Sequence, residues 1–528
     1  MAGTVTPNLT LISDCDTLTG WTEVGGGNAL NDPTIFDQRQ GSYCIQNYSA
    51  SKGDRGTDYD FGVDTNFSNT VIYCWFAFSK CPHATNPMRI RVTDASGNWG
   101  EWNIFTKATL PHLSWIPWAI KTTVAFDAQS ATPPTMTTIR NVGWRIGAVI
   151  AKTYIYFDAW RYGTGLSIKA GTDVSPAVLE DFYTADADSA NAYGIIEKYG
   201  GVYFCQGQLI IGSTTAGEAT YFKDINQVLV FKSIKGNPTG FYEIKGQGNA
   251  TAETKIFFGT KSGTAGISGL VINAPSAMRW KLTVSDTNIT EFGIYGCTLQ
   301  NADTITGQAY STLKEFLNTN FTACYEMLPD TGIVKSCNFI SAPGRAIRIS
   351  STSHNITDCN FIDCASASTG AVNISVDGTV TITFSNLKFT GNDYDVEKSS
   401  ATGDLTIDNT NGADASTYII SGGGTVTIQT VFTLTLRKVK SGNEPTEYVR
   451  CSIHKKSDMS EIMNMDATVS DDQNPDYYKA SMSYAQADFT VVVRVRERGW
   501  LPFETELMLT SAGLDVTAVW LADPHFTS

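Results

Sequence analysis

The chain has 528 residues, a formal net charge of −14, 17% charged residues and 46 glycines, enough for about three domains of ordinary size. Its acidity excludes a general polyanion binder, because phosphate backbones demand a basic footprint; no nucleic-acid partner is expected. No apolar run approaches the ~18 residues of a membrane-spanning helix, so no membrane insertion is expected, and the opening "MAGTVTPNLTLISDCD" lacks the basic and apolar regions of a secretory signal.

The 11 cysteines contain no Cys-x-x-Cys pair, and histidines stand apart at 83, 112, 354, 454 and 525. That is not zinc spacing; reduced, buried thiols are expected. Long stretches of Thr, Ser, Asn, Val and Ile suit sheets and turns. One short helix is expected, around Ala177–Tyr183.

Residues 1–170 hold eight of the 11 tryptophans. Strand-like runs such as "TVIYCWFAFSK", "MRIRVTD", "VGWRIGAVI" and "TYIYFDAWRYG" alternate with turn-rich pieces such as "DASGNWG". Short strands with regular turns predict an antiparallel sandwich. Trp75 and Trp144 sit inside apolar strands and are expected in the core. Trp99 and Trp102 flank a glycine-rich turn and are the candidates for a surface that stacks on sugar rings.

Residues 171–424 repeat. Aligning "GLVIN", "GCTLQNA", "LNTNFTA", "SCNFISA", "DCNFIDC" and "SNLKFTG" sets Ile272, Leu299, Phe321, Phe339, Phe361 and Phe389 in one register, with separations of 27, 22, 18, 22 and 28. Such spacing predicts a β-solenoid, in which each strand pairs with its copy one coil away and inward residues stack into ladders. Cys337 and Cys359 stand two residues before their phenylalanines and are expected to stack beside them. A second series, "GRAIRIS" and "TGAVNIS", gives each coil another strand. "SGGGT" (Ser421–Thr425) reads as a hinge.

Residues 425–528 read as a second sandwich. "YVRCSIHKK" and "DFTVVVRVRERGW" are strand-like, with Val491, Val493 and Val495 alternating against Arg494 and Arg496.

Chemistry is harder to find. Arg345, Arg348, Asp358, Asp363 and Asp377 come from adjacent coils, and stacking could bring Arg348 near Asp377. Solvated turn carboxylates are the competing explanation, and Asp471 and Asp472 fall in an apparent loop. Phosphate-loop, nucleophile-elbow and zinc-protease motifs are missing.

Several stretches resemble known families. "LTLISDCDTLTGWT" and "TYIYFDAWRYG" resemble the first and last strands of carbohydrate-binding-module jelly rolls. That resemblance implies pairing of these strands and a structural calcium held by Asp14, Asp16 and Asp158; no other cofactor is expected. The coils resemble the right-handed parallel β-helix of the pectin-lyase type. "RERGWLP", through Gly499, Trp500 and Pro502, resembles a strand of transthyretin-like sandwiches. The leader "PAVLEDFYTADADSANAYGIIEKYGGVYFCQGQLIIG" resembles lead-ins of tailed-phage virion proteins.

The expected fold is therefore all-β: an N-terminal jelly roll, a central right-handed β-helix and a C-terminal Ig-like or transthyretin-like sandwich. The resemblance implies a non-enzymatic bacteriophage virion protein, a fibre, spike or capsid-decorating appendage, made in the host cytoplasm and released by lysis. Its partners would be two further copies in a homotrimer, other capsid or tail proteins, and host-surface polysaccharide. The alternatives are a tailspike-type depolymerase and a secreted bacterial adhesin.

Overall fold

The computed structural model describes residues 3–25, 28–32, 42–49, 53–78, 87–105, 115–149, 153–186, 193–205, 207–231, 242–261, 271–274, 279–284, 286–306, 314–439, 449–467, 470–471, 474–484, 489–496, 501–509 and 514–519. Gly499, Trp500 and Asp472 lie outside the described residues. The fold is all-β, with a single helix, Leu179–Asp186, among the described residues. The chain divides into two compact units, Met1–Leu328 and Pro329–Ser528.

The first unit opens with two packed antiparallel sheets. One contains Val5–Ser13, Cys44–Ser49, Val71–Phe78, Ile116–Lys121 and Thr153–Ile168. The other orders Ala128–Gln129, Trp99–Phe105, Met88–Asp94, Ile139–Val149, Gly53–Thr65 and Trp21–Val24. Strand alternation explains the shared core: Ile90, Val92, Trp102, Val142 and Trp144 point inward from one sheet, and Phe76, Phe157 and Trp160 from the other. Trp75 is buried too, but it lies against Gly194 rather than in that core. The first and last strands pair antiparallel, from Val5 opposite Ile168 to Ser13 opposite Trp160.

Thr153–Ile168 continues beyond the sandwich. Its end, Leu166–Ile168, pairs parallel with Leu209–Ile211 and starts a stack of coils. Three parallel columns then build up. One runs Val202–Cys205, Val228–Phe231, Val271–Asn273, Thr298–Gln300, Asn320–Thr322; a second runs Gly207–Ile211, Tyr242–Gly246, Trp280–Thr283, Ala302–Thr306, Met327–Leu328. The third runs Thr220–Asp224, Thr254–Phe258, Glu291–Tyr295, Lys314–Leu317. In the first column Ile272 stands opposite Leu299, and Leu299 opposite Phe321. The ladder also reaches back through Leu229 to Tyr203, two members the alignment missed.

The second unit begins with the same coil geometry. Phe339, Phe361 and Phe389 share one register. Phe339 and Phe361 stack at 5.0 Å and 6°, and Phe361 and Phe389 at 5.1 Å and 14°. Before each strand one residue takes the left-handed conformation: Ser336, Asp358 and Asn386, with φ of 55°, 55° and 50°. Asp and Asn tolerate that region because their short side chains bond locally. The following residue, Cys337, Cys359 or Leu387, turns fully inward. Each thiol there donates to the carbonyl two residues back, Cys337 to Lys335 at 3.4 Å and Cys359 to Thr357 at 3.1 Å. Asn338 and Asn360 are strand residues rather than bends, joined by a side-chain hydrogen bond of 2.7 Å.

The hinge expectation is corrected. Gly422 and Gly423 donate to Lys398 and Ser400 carbonyls at 3.1 and 3.0 Å. A Cβ on Gly424, whose φ is +77°, would stand 1.7 Å from the Gly403 carbonyl oxygen. These glycines let two turns close on each other, which a flexible linker does not require. Val426–Val439 then pairs parallel with Leu405–Thr410 and antiparallel with Asn474–Tyr484. A further sheet orders Glu461–Ala467, Val449–Lys455, Phe489–Arg496 and Phe503–Leu509.

Candidate functional site

The coil residues named as catalytic candidates are dispersed. Asp358 and Asp363 are left-handed turn residues at the two ends of strand Asn360–Ile362, with φ of 55° and 49°. Asp358 accepts the Asn386 side-chain amide at 2.9 Å, and Asp377 accepts the Ala401 N–H at 3.2 Å. The Asp358 and Asp377 carboxylates thus brace turns against the next coil, and Asp363 joins it through its backbone N–H, which donates to the Thr390 carbonyl at 2.9 Å. Arg348 lies in register with Asn373, which lies in register with Glu397. Glu397 is engaged elsewhere: Arg345 donates to it through two nitrogens at 2.8 and 2.6 Å, Ser421 at 2.5 Å and Gly370 at 3.3 Å. Burial alone would raise its pKa; the bonds from Arg345, Ser421 and Gly370 prevail and hold it below the usual range. Glu397 is therefore a fixed acceptor, unsuited to passing protons.

The calcium expectation is corrected as well. Among the described residues no group of three or more His, Cys, Asp or Glu could hold a metal ion. Asp16 Oδ1 accepts the backbone N–H groups of Ser42 and Tyr43 at 2.7 and 2.6 Å, while Asp158 is buried and accepts the Ala159 N–H at 2.6 Å. Asp14 accepts from Asp16 N–H at 3.1 Å. The three carboxylates serve turns and do not fit a shared cation.

The two tryptophans separate. Trp102 is 0% exposed, packs on Phe126 at 4.6 Å and donates its indole N–H to the Val124 carbonyl at 3.0 Å. It cannot meet a sugar, and that expectation is corrected. Trp99 is three residues away, so the pleat sends it to the opposite face. It is half-buried on the outward side of its sheet, with the Arg91 guanidinium 4.2 Å from its ring centroid.

That outward side is a polar grid. Pairing places Trp99 opposite Thr93, Glu101 opposite Arg91 and Asn103 opposite Arg89. The next strand adds Asn141, Gly143 and Arg145, and the one after adds Asp60, Asp58 and Gly56. Glu101 is 0% exposed and receives Arg89 and Arg91, each at 2.7 Å. Arg145 pairs with Asp58. A Cβ at Gly143 would collide with the Thr57 carbonyl at 1.9 Å and with Asp58 Oδ1 at 2.6 Å, so only a glycine lets the neighbouring strand close over the middle of the grid. The hairpin beneath Trp99 is closed by Asp94, which accepts N–H groups from Ser96 and Asn98 at 2.9 Å and Thr135 at 3.0 Å. Burial would raise the pKa of Asp94; these bonds outweigh it and lower it. The result is an open shelf with fixed donors, fixed acceptors and one aromatic edge. Its sequence signal is the period-two arginines of "MRIRVTD".

No family model and no curated protein matches this chain. Among solved structures it is similar to an exo-beta-agarase at 9% identity, over 29% of this chain and 24% of that one, with a TM-score of 0.24. The chain thus spans about a quarter of the agarase's length. It is also similar to a family 11 carbohydrate-binding module from Clostridium thermocellum, at 12% identity over 31% of this chain and 96% of the module, with a TM-score of 0.22. A third is the CBM22-1 xylan-binding domain from Paenibacillus barcinonensis Xyn10C, at 15% identity over 31% of this chain and 95% of that domain, with a TM-score of 0.20.

Proposed function

We propose that this chain is a non-enzymatic, glycan-adhesive structural protein of a tailed-bacteriophage virion: a fibre, spike or capsid-decorating appendage. The observation that carries the adhesive part is the grid around Glu101, with Arg89 and Arg91 held at 2.7 Å beside the Trp99 edge. Guanidinium forks donate to neighbouring hydroxyls of a sugar ring. Asn141 supplies an acceptor, and the Trp99 edge offers apolar area to the ring. The virion part rests on the resemblance of the coils and their lead-in to phage fibres and spikes. The protein works there as a homotrimer against capsid or tail proteins, which multiplies weak single-site contacts by avidity. It is made in the host cytoplasm and leaves by lysis.

Calorimetry against a panel of neutral oligosaccharides tests the adhesive part. Arg91→Ala is expected to weaken binding about tenfold or more; because it leaves the buried Glu101 with Arg89 alone it also lowers stability, so melting of the variant establishes that the sandwich persists. A wild-type chain that binds no member, or an Arg91→Ala chain that binds as well, overturns it. Mass spectrometry of purified phage particles tests the virion part, which fails if the chain is absent from them. Incubation with host capsule tests the absence of catalysis. New reducing ends that disappear in Arg348→Ala would establish the depolymerase alternative instead.

A further inference from the structure

Among the described residues six asparagines take the left-handed conformation: Asn69, Asn226, Asn301, Asn318, Asn386 and Asn411. The first five are followed by Thr, Gln, Ala, Thr and Leu; Asn411 is followed by glycine, and Asn411–Gly412 is the one Asn-Gly step in the chain. An asparagine carries an electrophilic amide carbon, Cγ, within ring-closing reach of the next backbone nitrogen. A side chain on the following residue crowds that nitrogen, and glycine leaves it open.

The local geometry exposes the reacting groups. Asn411 and Gly412, with φ of 52° and 84°, are the central pair of a turn that Ala413 N–H closes on the Thr410 carbonyl at 2.9 Å. Such a turn selects Asn-Gly because both central residues need positive φ. Asn411 is exposed, and its Nδ2 donates to Ser385 Oγ at 2.9 Å. The Gly412 N–H meets no acceptor among the described residues. Lys388 Nζ donates to the Gly412 carbonyl, and a Cβ on Gly412 would stand 3.6 Å from that Nζ. A cation so placed favours loss of the neighbouring amide proton. Asp414, 3.6 Å from the same Nζ, tempers the effect.

We infer that Asn411 is a site of self-modification, with the Gly412 nitrogen as nucleophile and Lys388 as the charge that promotes it. The nitrogen bonds to Cγ and closes a succinimide. The Cγ–Nδ2 bond breaks, and Nδ2 leaves as ammonia with the proton that Gly412 gave up. Water then opens the ring. Opening at Cγ gives aspartate; opening at the main-chain carbonyl gives isoaspartate, whose backbone is longer by one carbon. The second product acts on the end of the coils. Lys388–Thr390 is the last strand of its column among the described residues. Asp414 covers its edge: Oδ1 accepts the Phe389 N–H at 2.9 Å, and the Asp414 N–H donates to the Leu387 carbonyl at 3.2 Å. A lengthened turn displaces that cover and bares a strand edge. Aspartate keeps the backbone length and leaves the cover in place.

The full chain is aged at mildly alkaline pH and followed by peptide mass spectrometry. Conversion of amide to acid is expected at Asn411 and at none of the other five asparagines, with ammonia released in step and isoaspartate identified by electron-transfer fragmentation. Lys388→Gln is expected to slow conversion about tenfold, equivalent to one pKa unit of amide acidity, and Asn411→Gln to remain unmodified. Melting of each variant establishes that the coils persist. Hydrogen exchange in residues 387–390 is expected to accelerate in the isoaspartate form and to stay unchanged in Asn411→Asp. An Asn411 that stays intact in the native chain while the urea-unfolded chain converts, equal conversion at the other five asparagines, or an unchanged rate in a folded Lys388→Gln chain overturns the inference. Unchanged exchange in the isoaspartate form overturns its action on the coil end.

Discussion

Replacing Phe361 with alanine removes a ring held between two others. Phe361 is fully buried and contacts Phe339 and Phe389 at centroid distances of 5.0 and 5.1 Å, both nearly parallel. A buried Phe→Ala change costs about 3–5 kcal/mol, and two lost ring pairs at about 0.5–1.5 kcal/mol each place this one in the upper half. Phe389→Ala is expected to cost about 2 kcal/mol, because that ring is only half-buried. A global melt mixes the coils with the rest of the chain, so the measurement is native-state hydrogen exchange on peptides spanning residues 333–390. A loss of about 4 kcal/mol accelerates exchange there roughly a thousandfold. An acceleration under about tenfold, or a larger effect from Phe389→Ala, would refute the ladder as the main source of coil stability.

Other outcomes follow from single features. Burial pushes Asp186 up to about 7, despite its bonds from Tyr193 and Ile196 N–H at 2.9 and 2.7 Å. Because the folded pKa exceeds the ordinary aspartate value of 3.8, the folded state binds the extra proton. The Asp186 contribution to stability is then fully present below about pH 4 and is lost as pH rises through 7, and Asp186→Asn should flatten that part of the slope in pH-stepped urea titrations. Gly424→Ala introduces a Cβ 1.7 Å from the Gly403 oxygen at a φ of +77°; a cost of about 2 kcal/mol or more is expected, read as faster exchange in residues 396–426. Cys15, Cys44, Cys74, Cys205, Cys297, Cys324, Cys337, Cys359 and Cys364 are free and buried, and burial raises Cys324 to about 11. Maleimide should leave these nine unlabelled in the native protein and modify them in denaturant, as quantified by peptide mass spectrometry.

The coils were legible because their inward positions are large, apolar and repeated. Phe339 and Phe361 can be aligned by eye since "CNF" recurs 22 residues apart. Thiol and turn roles were half legible: Cys337 and Cys359 read as core, but the left-handed residue is the one before each cysteine, Ser336 and Asp358. Trp99 and Trp102 could have been separated, because an odd spacing on one strand puts them on opposite faces. The grid was not legible. Arg91, Gly143 and Asp58 come from three strands whose register depends on the pairing.

The strand Thr153–Ile168 belongs both to the sandwich and to the first coil, where Leu166–Ile168 meets Leu209–Ile211. An open parallel edge is a hazard for a nascent chain, since any passing strand can add to it. Here the first coil never has to nucleate alone. The sandwich emerges first from the ribosome, folds as a unit and presents a finished edge. Each later coil of the first unit can then be copied onto its predecessor, so synthesis and assembly run in the same direction. Deleting the sandwich would therefore remove more than a binding module: it would take away the template on which the coils are laid down.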